Sequence, residues 1–233
     1  MLVKKSKKIE LTFHTCEKKP FVDILSPTKA TSMYPDWFKN ISPKTEFPSM
    51  RTCPGYIDFF KKSIAVPLWR DFEITYKGPT IYNIATPGIA PDDVYHYVQH
   101  HHPDQWGGGF PNQPHLKLMN PWLITCNTLT PFLITEASWH KTTNDFVIPQ
   151  GIVEFRLNTG SHVNMFLSES NEEKTIMLEA GNPIVYLTPL EDVEVDIKVK
   201  EISKEEWDRL LNYRFSFKNN YKKMLNLFGR NNA

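Results

Sequence analysis

Residues 193–202, VEVDIKVKEI, decide the fold class. Val193, Val195, Ile197 and Val199 alternate with Glu194, Asp196, Lys198 and Lys200. Successive side chains of a strand point to opposite faces, so this run reads as a half-buried strand with one greasy and one charged side. Near the other end of the chain, residues 9–15 (IELTFHT) set Ile9, Leu11 and Phe13 against Glu10, Thr12 and His14 in the same way. Between them, strand-like runs recur at 71–77, 80–84, 94–102, 115–119, 122–126, 132–137, 151–157, 163–167, 175–179 and 184–187. Most are bounded by Pro, Gly or Asn, and no helical period alternates with them. The pattern predicts a mainly β fold, a β-sandwich or jelly-roll-like architecture or a barrel, and disfavours a doubly wound sheet.

Helices are expected only at the ends of this series. Residues 17–52 are irregular and rich in Pro, Ser and Thr, with one helical turn after Tyr34-Pro35. A short helix should start at Cys53-Pro54 and run to about Ser63, burying Tyr56, Ile57, Phe59 and Phe60, with Pro67 forbidding its extension. Ser203-Lys204-Glu205-Glu206 reads as a capping box. Trp207, Leu210, Leu211, Phe217, Tyr221, Met224, Leu225 and Phe228 follow at three- and four-residue steps, and Gly229 supplies a stop. This amphipathic C-terminal helix can either dock on a sheet or receive a partner. The whole forms one β-rich domain over 1–233: an irregular segment with short helices at 1–70, a β core at 71–202, and a C-terminal helix at 203–229.

Composition narrows the function classes. With 40% hydrophobic residues the chain can bury a core without staples. Charge is balanced, 27 Lys and Arg against 26 Asp and Glu, so no general pull toward nucleic acid or an anionic membrane is expected. The start, MLVKKSKKIELTF, lacks the apolar run of a secretory signal peptide, and no stretch is long and apolar enough for a membrane helix. Cys16, Cys53 and Cys126 are odd in number and widely spaced, which reads as reduced, mostly buried thiols. Phosphate-binding glycine loops and a GxSxG elbow are absent from the sequence, no catalytic residue is assigned, and no cofactor is expected from these motifs.

One stretch could carry chemistry. If 94–102 is a strand, His96, His100 and His102 share a face and His101 takes the other. Asp104 adds an HxD spacing from His102, the first two ligands of a facial triad for non-haem iron, with His140 or His162 as the downstream third. A 2-oxoglutarate oxygenase needs an Arg soon after its distal His, and none follows His162 until Arg209. A cupin-like alternative pairs His100 and His102 with Glu154, which stands where that motif usually has His. A metal-dependent enzyme would thus draw on His100, His102, Asp104, Glu154 and His162 to hold iron or zinc (Fe or Zn). The same histidines can equally form a polar strand end. Trp37, Trp69, Trp106, Trp122 and Trp139 sit in loop-like stretches, where they can either fill the core or stack on sugar rings.

Residues 48–74 (PSMRTCPGYIDFFKKSIAVPLWRDFEI) resemble a segment shared by uncharacterised proteins of tailed bacteriophages, T4-like marine phages among them, and of some bacteria. His102-Pro103-Asp104-Gln105, Asn120-Pro121-Trp122-Leu123-Ile124-Thr125 and Glu179-Ala180-Gly181-Asn182-Pro183-Ile184 are similar to further motifs of the same proteins. The likeness spans about residues 34–202 and departs after Thr125, where Cys126-Asn127-Thr128-Leu129 replaces the family's Pro-Pro-Gly-Tyr. It implies a β-rich phage protein in the host cytoplasm or the virion, with other phage proteins or its own copies as partners. It carries over no catalytic residue. The expectation is a non-enzymatic β-sandwich protein, a minor virion or host-takeover component, with the metal-dependent enzyme as the alternative.

Overall fold

The computed structural model describes residues 7–19, 21–42, 47–101, 112–141, 143–157 and 159–215, with side chains as far as Leu211. Strands dominate and fall into four sheets. The first joins both ends of the strand series. Its central strand β1 (Lys7–Thr15) runs parallel to β15 (Val193–Glu201) and antiparallel to β8 (Leu123–Cys126). The parallel ladder is in unbroken register from Lys7 opposite Val193 to Thr15 opposite Glu201. Ile9, Leu11 and Phe13 therefore lie beside Val195, Ile197 and Val199, and the two greasy sides read from the sequence become one surface.

The second sheet has the order β10 (Phe146–Val147), β12 (Val163–Leu167), β7 (His115–Leu118) and β6 (Val98–His100). The third is β11 (Gly151–Glu154), β9 (Pro131–Glu136), β14 (Pro183–Pro189), β3 (Ile64–Pro67) and β2 (Thr28–Lys29). The fourth is β13 (Lys174–Leu178), β4 (Phe72–Lys77) and β5 (Thr80–Ala85). One continuous core draws Leu11 and Phe13 from the first sheet, Leu116 and Met165 from the second, Val185 and Leu187 from the third, and Ile74 and Ile176 from the fourth.

At β3 and β14 the third sheet is buried on both faces. Ile64 and Val66 of β3 and Val185 and Leu187 of β14 enter the main core, while Ala65 and Tyr186 enter a second cluster with Phe38, Tyr56 and Phe60. That second cluster is built by α2 (Asp36–Lys39) and α3 (Pro54–Lys62), which cover the outer face of the sheet. Strands covered on both sides lose polar alternation, which explains the unbroken apolar runs IAV and IVYL. Cys53 stands at the N-cap of α3 and Pro54 at its first turn, where a missing N–H costs nothing. The remaining α-helices among the described residues are α1 (Phe21–Leu25) and α4 (Lys204–Phe215); at the start of α4 the Ser203 hydroxyl accepts the Glu206 N–H at 3.2 Å.

Several expectations need correction. Beyond the strand expected at 9–15, residues 1–70 also hold β2 and β3, so the rest of that segment is not merely irregular with short helices. The expected strand at 94–102 shrinks to Val98–His100, since Pro91–His96 form a 3-10 helix with Pro91 at its start and Asp92 and Asp93 in its first turn. Those residue types favour a helix N-terminus, and they won over the alternation. The strand expected over 151–157 stops at Glu154. Ile57 and Phe59 are half-buried rather than buried, and of the three cysteines only Cys126 is buried. The C-terminal helix is seen as Lys204–Phe215; the rest of the expected 203–229 lies outside the described residues. No helix among the described residues is long and apolar enough to cross a membrane.

Phe13 is wholly buried on the core side of β1, with its ring edge-on to Trp122 at 6.3 Å. Phe13→Ala is expected to lower the unfolding free energy by about 3–5 kcal/mol in urea titrations. Lys198→Ala, on the solvent side of β15, should change it by less than about 0.5 kcal/mol. Equal effects from the two would show that β1 and β15 are not core strands.

Candidate functional site

The sequence-expected metal residues fall in three places. His100 ends β6 opposite Leu116 and borders a small cavity of about 110 Å³ with Tyr82, Asn83 and Tyr95. Glu154 ends β11 opposite Pro131, on a different sheet, where burial and then Glu191 push its carboxyl up from its usual range. His162 precedes β12 and borders a larger cleft, described below. His102 and Asp104 lie outside the described residues. Among the described residues, no group of three or more His, Cys, Asp or Glu could hold a metal ion.

His96, expected to share a strand face with His100, instead ends the 3-10 helix and lies 3.9 Å from Asp93. The histidine cluster that does form includes a residue the sequence reading passed over. His101 and His115 have ring centroids 4.4 Å apart, and His115 stacks on Phe166 at 4.5 Å and 22°. Burial, and then the neighbouring His101, pull the His115 imidazole down to about 4. It is therefore neutral near pH 7 and serves as a packed aromatic ring. The signal that could have found it is the antiparallel partnering of β6 and β7, a long-range contact that periodicity along one strand does not encode.

The larger cleft, about 550 Å³, lies between the second sheet and α4. Its apolar lining includes Tyr97, Met119, Pro121, Leu123, Trp207 and Leu211. Its rim is fixed by Arg70, whose guanidinium sits 4.4 Å over the Tyr97 ring and 3.9 Å from Glu17. Cys16 also borders it, but burial raises the thiol above its usual range, which is opposite to what a nucleophilic cysteine needs. The volume falls within the range of small-molecule pockets.

Beneath the cleft, Asn120 is 6% exposed and makes three hydrogen bonds. Its amide nitrogen donates to the Ser161 carbonyl at 2.9 Å and the Ser161 hydroxyl at 2.8 Å, and its oxygen accepts the Trp122 N–H at 3.0 Å. These bonds tie the turn between β7 and β8 to the segment entering β12. The loop tryptophans also divide. Trp69 and Trp122 are fully buried, whereas Trp37 and Trp139 are 42% and 41% exposed and face each other at 6.0 Å. Trp106 lies outside the described residues.

With that geometry in place, comparison of the chain with protein families, curated proteins and solved structures yields no match.

Two outcomes follow from this geometry. Asn120→Ala leaves buried donors and acceptors unpaired, so it should cost about 1–3 kcal/mol in denaturant titrations; no loss would remove the bracing role. For His115 the folded-state value lies below the unfolded one, so the folded protein binds fewer protons between them. Stability is then complete above about pH 6.5 and falls as the pH drops toward about 4, the unfolding constant rising by up to about tenfold per pH unit. His115→Phe is expected to flatten part of that slope in urea melts across the interval, and an unchanged slope would contradict the assignment.

Proposed function

We propose that this chain is a non-enzymatic β-sandwich, jelly-roll-like protein of a tailed bacteriophage, acting as a minor virion or host-takeover component. The observation that carries the reading is what its motif residues do. Each described motif on which the phage resemblance rests contributes to the backbone framework, the second and third while also bordering cavities. In the first, Arg51 donates to the Ile41 carbonyl at 2.9 Å, the Thr52 hydroxyl accepts the Ser49 N–H at 3.2 Å, and Cys53-Pro54 open α3. In the second, Asn120 braces the turn before Trp122. In the third, Gly181 takes φ +86°, a conformation suited to glycine, and its N–H donates to the Leu68 carbonyl at 2.8 Å. The Leu68 N–H in turn donates to the Asn182 carbonyl at 2.8 Å, and Asp71 accepts the Ala180 N–H at 2.7 Å. A framework role for such residues suits a protein whose business is shape and association.

The four strand groups sharing one core support the sandwich reading, and an α4 docked beside the cleft suits a helix that completes the domain rather than one that spans or inserts. The balanced charge of the sequence suits partners that are other phage proteins or further copies of this chain, in the host cytoplasm or in the particle, without nucleic acid or membrane.

Mass spectrometry of purified particles of the encoding phage tests the virion role. Peptides of this chain at a fixed copy number per particle are expected, and their absence would rule that role out. Elemental analysis of the full chain purified without a histidine tag tests the reading against its metal-dependent alternative. Substoichiometric metal is expected; one iron or zinc per chain, lost in the His100→Ala, His102→Ala double variant, would overturn it.

A further inference from the structure

The geometry points to a carbohydrate-binding platform at Trp37 and Trp139, independent of whether the chain enters the virion. Trp37 lies in α2, and Trp139 in the 3-10 helix Ser138–His140 that follows β9. They are 102 positions apart in sequence, yet the fold sets their rings 6.0 Å apart with a 45° tilt, both about two-fifths exposed.

The pair is built rather than incidental. The Trp37 indole N–H donates to the Trp139 carbonyl at 2.9 Å, so the link between the two segments fixes the Trp37 ring. Tyr56 supports both rings from below, edge-on to Trp139 at 5.0 Å and 6.1 Å from Trp37, and Phe38 packs edge-on against Trp37 at 5.9 Å. Tyr56 and Phe38 are themselves buried members of the second cluster. The rings are thus held in place before any ligand arrives, which removes part of the ordering cost of binding. Because the Trp37 N–H is already satisfied, that indole does not need a hydrogen-bonding partner from the ligand.

The size and surroundings of the patch select the occupant. The exposed chain neighbours Asp36, Lys39, Asn40 and Ser138 are all polar, so the exposed apolar surface that these two short segments offer is that of the two indoles. That area is far below the roughly 800 Å² per partner of a standard protein interface. It matches one or two sugar rings. A gluco-configured pyranose presents axial C–H bonds with slight positive charge, and the indole face carries the negative lobe of the ring quadrupole. Asp36 and Lys39, paired at 2.9 Å beside Trp37, supply an acceptor and a donor for ring hydroxyls. The two indole planes lie at 45° to each other, an angle suited to neighbouring residues of a twisted chain. The class of ligand is therefore a neutral oligosaccharide of glucose or N-acetylglucosamine units.

The test is a titration of the full chain with cellohexaose and with chitohexaose. It is followed by tryptophan fluorescence and by the indole N–H signals in two-dimensional NMR. Saturable binding to at least one of them is expected, with a Kd on the order of 1 mM or below. The shifts should fall on the Trp37 and Trp139 signals and not on those of buried Trp69 and Trp122. Trp37→Ala and Trp139→Ala should each weaken binding by about tenfold or more, while Trp37→Phe, which keeps an aromatic face, retains most of it. Circular dichroism melts establish that each variant is folded, and the wild-type NMR shifts decide the matter if the alanine variants are not. No saturable binding to either sugar would overturn the proposal. So would binding that leaves both exposed indoles unshifted, or saturation of the pair by a single-stranded oligonucleotide in place of the sugars.

Discussion

The ladder between β1 and β15 is the constraint on which the rest of the structure depends. It joins Lys7–Thr15 to Val193–Glu201 in parallel, so almost the whole chain is the loop that it closes. Closing so long a loop costs entropy that no local hydrogen bond returns. The gain comes from burial: Ile9, Leu11 and Phe13 together occupy the core side of the central strand, and Val195 extends it. β1 has a partner on each side, β15 along its whole length and β8 over Leu11–His14, so it is not an edge strand. Through β8 the same strand positions Trp122, and through Trp122 it reaches the Asn120 brace and the cleft above.

A second consequence of the topology is the two-sided third sheet. The main core occupies one face, and the helices between β2 and β3 close the other. A segment that lacks regular period along its length thereby becomes a layer, held by packed rings rather than by backbone ladders: Tyr34 stacked on Phe60 at 4.9 Å, Phe38 tilted against Tyr56 at 5.0 Å, and Phe59 edge-on to Tyr186 at 5.3 Å. Burial of these phenols is deep enough to push the Tyr56 hydroxyl up to about 12. The exposed tryptophan pair stands at the border of this layer, which is why it is both rigid and accessible.

The mainly β character was legible because period-two alternation survives wherever one face meets solvent, as in β15 and β4. It was less legible where both faces are covered. β3 and β10 offered no alternation long enough to read, and β2 is two residues defined only by its partner. Pro91 and the acids after it were visible signals of a helical turn, and the alternation around His96 outweighed them wrongly. The candidate site was legible only in pieces. Sequence spacing brought His100 and His162 into one hypothetical set, yet they border different cavities, because spacing along a strand does not say which sheet a distant residue joins. The tryptophans could be flagged as a group, but only the fold separates the buried Trp69 and Trp122 from the exposed Trp37 and Trp139.

Closure of the fold by the ladder between β1 and β15 is the claim most open to direct measurement. Native-state hydrogen exchange of the full chain, read amide by amide, reports the free energy at which each strand opens. If the ladder closes the fold, β1 and β15 amides exchange with the same opening free energy as β14 and β3 at the centre of the third sheet. Exchange of β1 and β15 at much lower free energy, while β14 and β3 stay protected, would show the ladder to be an appendage and contradict the account.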